Sequence, residues 1–189
     1  MQNTIIYLIA FAGTGKYTIA KEISRLSGAK LVDNQLINNP VFSLIRQDGV
    51  TPLPDSVWEK TWAIRHIVLD VIKDISPPDY SFIFTNELNE GVADDAKLFA
   101  EVAELARARK SALIPVRLIC DENELCRRIE SPDRAERFKD VSSKNARDKF
   151  HNQKILNIDH HNLLTLDITN MSPAQAAESI IRHVEGRTT

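Results

Sequence analysis

Short apolar runs alternate with helical segments along this chain, and this alternation restricts the possible folds more than any other feature. Runs rich in branched residues predict five strands, at residues 4–10, 30–33, 81–85, 112–120 and 163–168. Apolar residues at helical spacing predict helices between them, at residues 17–27, 36–47 (broken near Pro40), 55–75, 94–109 and 144–156, with another after residue 121 and a last one from Pro173. Strands joined by helical crossovers form parallel sheets that are covered on both faces. The sequence therefore predicts an α/β fold with a five-stranded parallel sheet between two helical layers.

Local signals predict where individual elements begin and end. Asp121 followed by Glu124 has the form of a capping box, which predicts a helix directly after the fourth strand. Ser172 and Pro173 are typical of the N-cap and first position of a helix. Pro115 lies within the fourth predicted strand, and because proline has no N–H it favours an edge strand or a bulge there.

Length, charge and cysteine content limit the class of protein. The 189 residues amount to one domain, and 43% of them are hydrophobic, which is sufficient for a substantial core. The net charge of −2 argues against nucleic acid or an anionic membrane as the main partner. The apolar run at residues 5–12 is too short to span a bilayer, and two cysteines make no disulfide framework. We therefore expect a cytoplasmic protein, of an oligomeric state that the sequence leaves open.

The first strand leads into the sequence IAFAGTGKYT, residues 9–18. Gly13 and Gly15 permit a tight turn whose N–H groups converge on an anion, and the following helix points its positive end at the same place. Lys16 is placed to reach the phosphates of a nucleotide. The alternative is a glycine-rich turn with an incidental lysine. The residues predicted to bind phosphates, hereafter the glycine loop, are Ala12, Gly13, Thr14, Gly15, Lys16, Tyr17 and Thr18.

Two residues depart from the usual phosphate-loop pattern of Gly, four residues, Gly-Lys and then Ser or Thr. Ala10 replaces the first glycine at the end of a strand, where a small residue suffices. Tyr17 replaces the hydroxyl residue that usually holds Mg²⁺, and Thr18 supplies a hydroxyl one position later. Thr18 is therefore the candidate metal-binding residue.

The loop and its strand–helix context resemble those of the P-loop small-molecule kinases, a group that includes shikimate kinase, gluconate kinase and adenylate kinase. The resemblance extends from residue 4 to about residue 184 and implies a three-layer P-loop fold, ATP with Mg²⁺, and a small lid. Adenylate kinases also lack a hydroxyl residue directly after the lysine of the loop. Shikimate kinase has a Gly-Gly-Gly run after its third strand, whereas this chain has Thr85, Asn86 and Glu87. The Arg-Pro-Leu-Leu lid signature of shikimate kinase is also absent from this chain. Shikimate is therefore not supported as the substrate.

The resemblance assigns roles to several residues of this sequence. Asp33, at the end of the second strand, corresponds to an acidic residue that contacts the acceptor hydroxyl; the alternative is a turn-forming aspartate. Arg128 matches a position that packs its guanidinium on adenine, and Arg134 belongs to a candidate mobile lid at residues 131–149. Arg137 and Lys139 are weaker candidates in the same lid. Arg65 is either an acceptor-binding residue for an anionic group or an ordinary surface arginine.

Taken together, these residues predict a single P-loop kinase-like domain over residues 1–189 that transfers a phosphoryl group from ATP to a hydroxyl of a small acceptor. The predicted catalytic residues are Lys16, Asp33 and Arg134. Two alternatives stay open: a nucleoside monophosphate-type kinase, and a nucleotide-binding protein without turnover, which Tyr17 favours. The sequence does not identify the acceptor.

Overall fold

A computed structural model describes residues 1–46, 53–130 and 142–188 of the chain. The strands are β1 (Thr4–Ile9), β2 (Lys30–Asp33), β3 (Phe82–Asn86), β4 (Ala112–Ile119) and β5 (Leu164–Asp167). The helices are α1 (Lys16–Ser27), α2 (Asn34–Phe42), α3 (Asp55–Asp70), α4 (Ala93–Arg109), α5 (Glu122–Ile129), α6 (Ser143–Asn152) and α7 (Pro173–Thr188).

The five strands form one parallel sheet in the order β2-β3-β1-β4-β5. The register aligns the ends of neighbouring strands, since Asp33 of β2 lies beside Thr85 of β3, and Ile9 of β1 lies beside Asn86. The predicted α/β fold with a five-stranded parallel sheet is confirmed. Because all carboxyl ends meet at one edge, the loops that follow them are brought together there.

Strand β1 is completely buried and provides the centre of both hydrophobic layers. Ile6 and Leu8 point to the face covered by α1 and α7, whose buried residues include Ile23 and Ile180. The alternating residues of β1, among them Tyr7, point to the opposite face, where α3 and α4 pack. This two-sided core is the reason that the strand reads as a continuous apolar run rather than an alternating one.

Two predicted helix starts are formed by the expected groups, and a glycine ends another helix. The carboxylate of Asp121 accepts a hydrogen bond from the N–H of Glu124 (2.9 Å) at the start of α5. The hydroxyl of Ser172 accepts one from the N–H of Gln175 (3.2 Å) at the start of α7. Gly28 ends α1 with φ of 75°, a left-handed conformation that glycine adopts without strain.

Two prolines behave differently from the prediction. Helix α2 continues through Pro40. Pro40 and Leu36, the residue whose carbonyl would accept the missing hydrogen bond, both lie on the exposed side of the helix, where solvent can compensate for the one bond that is lost. The expectation of an edge strand or bulge at Pro115 is wrong, since β4 lies between β1 and β5 in a continuous register. The pairing of β4 with β5 begins only at Val116, so the N–H group that Pro115 lacks is not needed to pair with β5.

Two helix ends also differ. The helix predicted over residues 55–75 is α-helical only to Asp70 and continues as a π-helical turn, Val71–Ile75, which the Ser76 N–H closes by bonding the Val71 carbonyl at 2.9 Å. The helix predicted to end at residue 156 ends at Asn152, and Ile155 instead forms an isolated bridge with Asn89. Among the residues that the structure describes, no helix is both long and apolar enough to cross a membrane.

We predict that Leu8→Ala lowers the free energy of unfolding by about 2–5 kcal/mol, because Leu8 has no exposed surface and its truncation leaves a cavity beneath α1 and α7. Denaturant unfolding measures the change. Leu44→Ala is the control, since Leu44 is 83% exposed and its truncation should change stability by less than about 0.5 kcal/mol. Equal effects of the two substitutions would contradict the described core.

Candidate active site

A cleft of about 740 Å³ lies at the carboxyl ends of the strands. Its walls come from the loops after all five strands, which agrees with the rule that parallel sheets bind ligands at this edge. The lining residues are 12–19, 33–35, 85–87, 124, 127, 128 and 169–173. The glycine loop follows the central strand and therefore occupies the middle of the cleft.

The two glycines of the loop adopt the backbone conformation that the sequence predicts. Gly13 and Gly15 have φ values of 91° and 92°, in the left-handed region that residues with a Cβ rarely adopt. A side chain at Gly13 would also be crowded, because a Cβ would lie 3.0 Å from Leu125 Cδ1 and 3.2 Å from Ile129 Cβ, so these neighbours would have to shift. A Cβ added at Gly15, in contrast, would have no atom within 4 Å apart from those of its chain neighbours and its own helix. Gly13 thus permits both the turn and the close packing of α5 against it.

Lys16 opens helix α1, directly after Gly15. Its Nζ atom donates hydrogen bonds to the carbonyl oxygens of Ala10 and Phe11, each at 2.8 Å, so the ammonium group lies against the loop. No side chain caps the N-terminus of α1, because the N-cap residue is Gly15. The partial positive charge of the helix end and the lysine charge therefore combine at one place, an arrangement suited to an anion.

The hydroxyl groups near the loop have different environments. Thr14 is 2% exposed, and its hydroxyl donates to the Phe11 carbonyl at 3.0 Å. Thr18 is exposed and lines the cleft, which leaves it accessible to a metal–nucleotide complex. Tyr17 also lines the cleft, and the Nζ atom of Lys21 lies 5.8 Å from its ring centroid.

Asp33 is a buried carboxylate at the wall of the cleft, with 4% of its surface exposed. Its Oδ1 atom accepts a hydrogen bond from the Thr85 hydroxyl at 2.5 Å, and its Oδ2 atom accepts one from the Gln35 N–H at 3.2 Å. The second bond caps α2, so the turn-forming role that the sequence left as an alternative is present, and contact with an acceptor stays a prediction. Two fixed partners orient the carboxylate without using all of its lone pairs.

Asn86 is oriented by a residue that the sequence-based interpretation missed. The Tyr7 hydroxyl, which is completely buried, donates a hydrogen bond to Asn86 Oδ1 at 3.0 Å. Burial raises the pKa of Tyr7, with Arg65 opposing it, so the phenol stays protonated and remains a donor. From the sequence, Tyr7 looks like an ordinary core residue of an apolar strand, and only the register of β1 with β3 reveals the pairing.

Glu87, which in the sequence marks only a departure from a glycine run, contacts the glycine loop. Its Oε2 atom accepts a hydrogen bond from the Ala12 N–H at 2.8 Å, and Oε1 accepts one from Lys149 Nζ of α6 at 3.0 Å. Burial acts to raise the pKa of Glu87, but the charges of Lys149 and Lys16 outweigh it and the pKa is lowered. An ionised Glu87 thus connects α6 to the loop.

Arg128 connects the glycine loop to the far side of the cleft. Its guanidinium donates to the carbonyl oxygens of Thr14 and Ile168, both at 3.0 Å, and to Glu124 Oε1 at 2.6 Å. The hydrogen bond from Arg127, together with the contact to Arg128, lowers the pKa of Glu124 to about 2. Arg128 lines the cleft, and its described contacts are those of a brace between two loops, while packing on adenine stays a prediction.

One predicted site residue lies away from the cleft, and another lies outside the described residues. Arg65 is 3% exposed and does not line the cleft, because α3 turns it towards α4, where its Nε atom lies 3.3 Å from Glu101 Oε2. The sequence left two roles open for Arg65, acceptor binding or an ordinary place on the surface. The structure shows neither, because Arg65 is buried and does not line the cleft. Arg134, with Arg137 and Lys139, lies outside the described residues, and of the lid at 131–149 only residues 142–149 are described.

No family model matches the chain, and no curated protein matches its sequence. Solved structures do match over nearly the full length. A sugar kinase from Janibacter sp. HTCC2649 has a TM-score of 0.64 at 15% identity, with 97% of this chain and 95% of that chain covered.

Two further structures agree with that match. A gluconokinase from Sinorhizobium meliloti 1021 has a TM-score of 0.62 at 12% identity, and the match covers 98% of this chain and 96% of that chain. A thymidylate kinase from Candida albicans has a TM-score of 0.59 at 15% identity, and the match covers 99% of this chain and 93% of that chain. Likeness at such low identity defines the fold, and it is the fold shared by these kinases: the chain has the three-layer architecture of the P-loop kinases.

Proposed function

We propose that this protein is an ATP-dependent kinase that transfers the γ-phosphoryl group of ATP to a hydroxyl of a small-molecule acceptor. One observation carries the proposal: the glycine loop with Lys16 and the buried carboxylate of Asp33 border the same cleft. Phosphoryl transfer requires both an anion cradle and a group that orients the nucleophile, and little other chemistry from the protein.

The nucleotide occupies the glycine loop and the β4–β5 side of the cleft. The N–H groups of the loop and the end of α1 bind phosphate oxygens, and Lys16 exchanges its contacts with the loop carbonyls for the β- and γ-phosphates. Arg128 holds the loop against residues 168–169, which border the base end of the site. Thr18 is the hydroxyl that fits Mg²⁺, which supplies charge neutralisation on the phosphates when it is bound.

The acceptor occupies the β2–β3 side, where Asp33 lies. A carboxylate next to the transferred phosphoryl group accepts the hydrogen bond of the acceptor hydroxyl and thereby aligns or deprotonates it. The contacts of Asp33 with Thr85 and Gln35 fix its direction in advance, so little ordering is required when the acceptor binds.

Glu87 positions the loop in this proposal. Its carboxylate binds the Ala12 N–H at the entrance to the loop, and Lys149 balances its charge from α6. A conformational change in α6 is therefore transmitted to the loop through one hydrogen-bonded ion pair. Because α6 begins within the candidate lid at residues 131–149 and Lys149 is the last residue of that lid, this pair is where such a change would reach the phosphates.

A nucleotide-binding protein without turnover is the second candidate, and Tyr17 is the observation that favours it. The phenol lies at the cleft at the position where the usual loop has a metal-binding hydroxyl. Such a protein would bind ATP in the same loop but would not require Asp33.

We predict that Lys16→Ala weakens ATP binding by about 10-fold or more, since hydrogen bonds to charged groups contribute about 1.5–3 kcal/mol. Calorimetric titration with Mg·ATP measures the affinity. Lys73→Ala is the matched control, because Lys73 lies in the π-helical turn and does not line the cleft. Unchanged affinity in Lys16→Ala would refute the location of the phosphates.

We predict that Asp33→Asn lowers kcat by about 10²–10⁴-fold and leaves the affinity for ATP within about 2-fold of the unsubstituted protein, since only the acceptor side loses its base. ADP release is followed with saturating ATP and a hydroxyl acceptor. Asp74→Asn, at an exposed aspartate, is the control. A parallel loss of ATP affinity in Asp33→Asn would assign Asp33 to the nucleotide instead.

We predict that Glu87→Gln lowers the free energy of unfolding at pH 7 by about 1.5 kcal/mol. This value is the lower end of the range for hydrogen bonds to charged groups, because Lys149 is partly exposed to solvent. The pKa of Glu87 is lower in the folded state than its ordinary value of 4.5. Its stabilising contribution is therefore complete above pH 4.5 and disappears as the pH falls through the folded-state pKa.

Urea unfolding of both proteins from pH 7 to pH 3 checks this dependence. The difference in stability between them should shrink as the pH falls. Glu59→Gln, at an exposed residue of α3, should show no such trend. A difference that stays constant over this range would mean that Glu87 is not held ionised by its partners.

A further inference from the structure

We infer that the acceptor is a hydroxyl-rich molecule that carries no anionic group. This inference rests on the proposed function, because it concerns the acceptor side of the same cleft. Two observations support it: the positions of the charged residues that line the cleft, and the amide atoms of Asn86 and Gln35 that remain available to a ligand.

The strand order separates the cations of the cleft from the acceptor side. Lys16 follows the central strand β1, and Arg127 and Arg128 lie on α5, which follows β4. On the other side, after β2 and β3, the described lining consists of two carboxylates, three amides and one hydroxyl: Asp33, Glu87, Asn34, Gln35, Asn86 and Thr85. Within the described part of the chain, the acceptor wall thus contributes negative charge and no cation.

Two described cations that do not line the cleft are engaged by carboxylates. Lys149 lies 3.0 Å from Glu87 Oε1, and Arg65 lies 3.3 Å from Glu101 Oε2. Among the described lining residues after β2 and β3, a carboxylate or phosphate on the acceptor would therefore meet Asp33 and no counter-ion. Like charges a few ångströms apart in a partly desolvated cleft repel each other, which disfavours an anionic acceptor.

The amides of the wall offer both a donor and an acceptor. Asn86 Oδ1 is occupied by the Tyr7 hydroxyl, and Nδ2 has no hydrogen-bond partner among the described residues, so its N–H groups are available to the cleft. Gln35 shows the opposite arrangement, since its Nε2 atom donates to Asn39 Oδ1 at 2.7 Å and its Oε1 atom remains as an acceptor.

Hydroxyl groups are the ligands that fit such a wall. Each hydroxyl both donates and accepts, so one can bind Asn86 Nδ2 while a neighbour binds Gln35 Oε1 and a third binds Asp33. Neutral amides bind hydroxyls without the desolvation cost of a buried charge. The chemical class is therefore a polyol, sugar or nucleoside, in preference to a sugar acid or a nucleoside monophosphate.

Matched acceptor pairs test the inference. ADP release is measured with Mg·ATP and glucose or glucuronate, galactose or galacturonate, and each of four ribonucleosides or its 5′-monophosphate. We expect turnover of at least one uncharged compound, with kcat/KM at least about 10-fold above that of its anionic partner. Equal or higher kcat/KM for the anionic partner would overturn the inference and leave the kinase assignment intact.

The remaining outcomes are also decisive. ATP binding that depends on Lys16, with turnover of the anionic compounds alone, overturns the inference. The same binding with no turnover of any compound counts against both the inference and the kinase assignment and favours the protein without turnover. Absence of ATP binding overturns the proposed function and the inference that rests on it.

A charge substitution gives a second, independent measurement. Gln35→Lys places a cation on the acceptor wall, so it should raise the kcat/KM ratio of anionic to uncharged partner by about 10-fold or more. Leu36→Lys is the matched control, because Leu36 is the next residue of α2, is 57% exposed and does not line the cleft. An unchanged ratio in Gln35→Lys would show that the acceptor does not contact this wall.

Discussion

The burial of β1 between β3 and β4 is the constraint on which the rest of the structure depends. A strand that is covered on both faces and paired on both edges has no freedom to shift, so the position of its carboxyl end is fixed. The glycine loop starts at that end, and Gly13 packs directly against α5. Because the hydrophobic core is closely packed, it also fixes the position of the glycine loop.

The same strand positions the acceptor wall through polar contacts. Tyr7 of β1 reaches Asn86 of β3, and β3 in turn supplies Thr85 to hold Asp33 of β2. Each of these bonds lies between neighbouring strands at the same edge of the sheet, so the cleft is ordered by register rather than by loop conformation. Such a site requires little rearrangement on binding, which is the property that phosphoryl transfer exploits.

The sheet, the glycine loop and Asp33 could be predicted from the sequence, because each has a local signal: apolar runs, paired glycines, and an acidic residue at a strand end. The roles of Tyr7 and Glu87 could not, since they depend on which strand lies beside which. Arg65 shows the same limit, because a helical pattern indicates that a face is buried but not which helix covers it. Its partner, Glu101, lies in α4, far along the chain.

The central claim, that ATP bound in the loop loses its γ-phosphoryl group to an acceptor near Asp33, is tested most directly by ³¹P NMR. The protein is incubated with Mg·ATP and an uncharged polyol, sugar or nucleoside acceptor, and all phosphorus species are followed together. The account predicts a phosphomonoester signal that grows in step with ADP, without a matching rise in inorganic phosphate. ATP that is bound but unchanged with every acceptor, or that yields only inorganic phosphate, would contradict it.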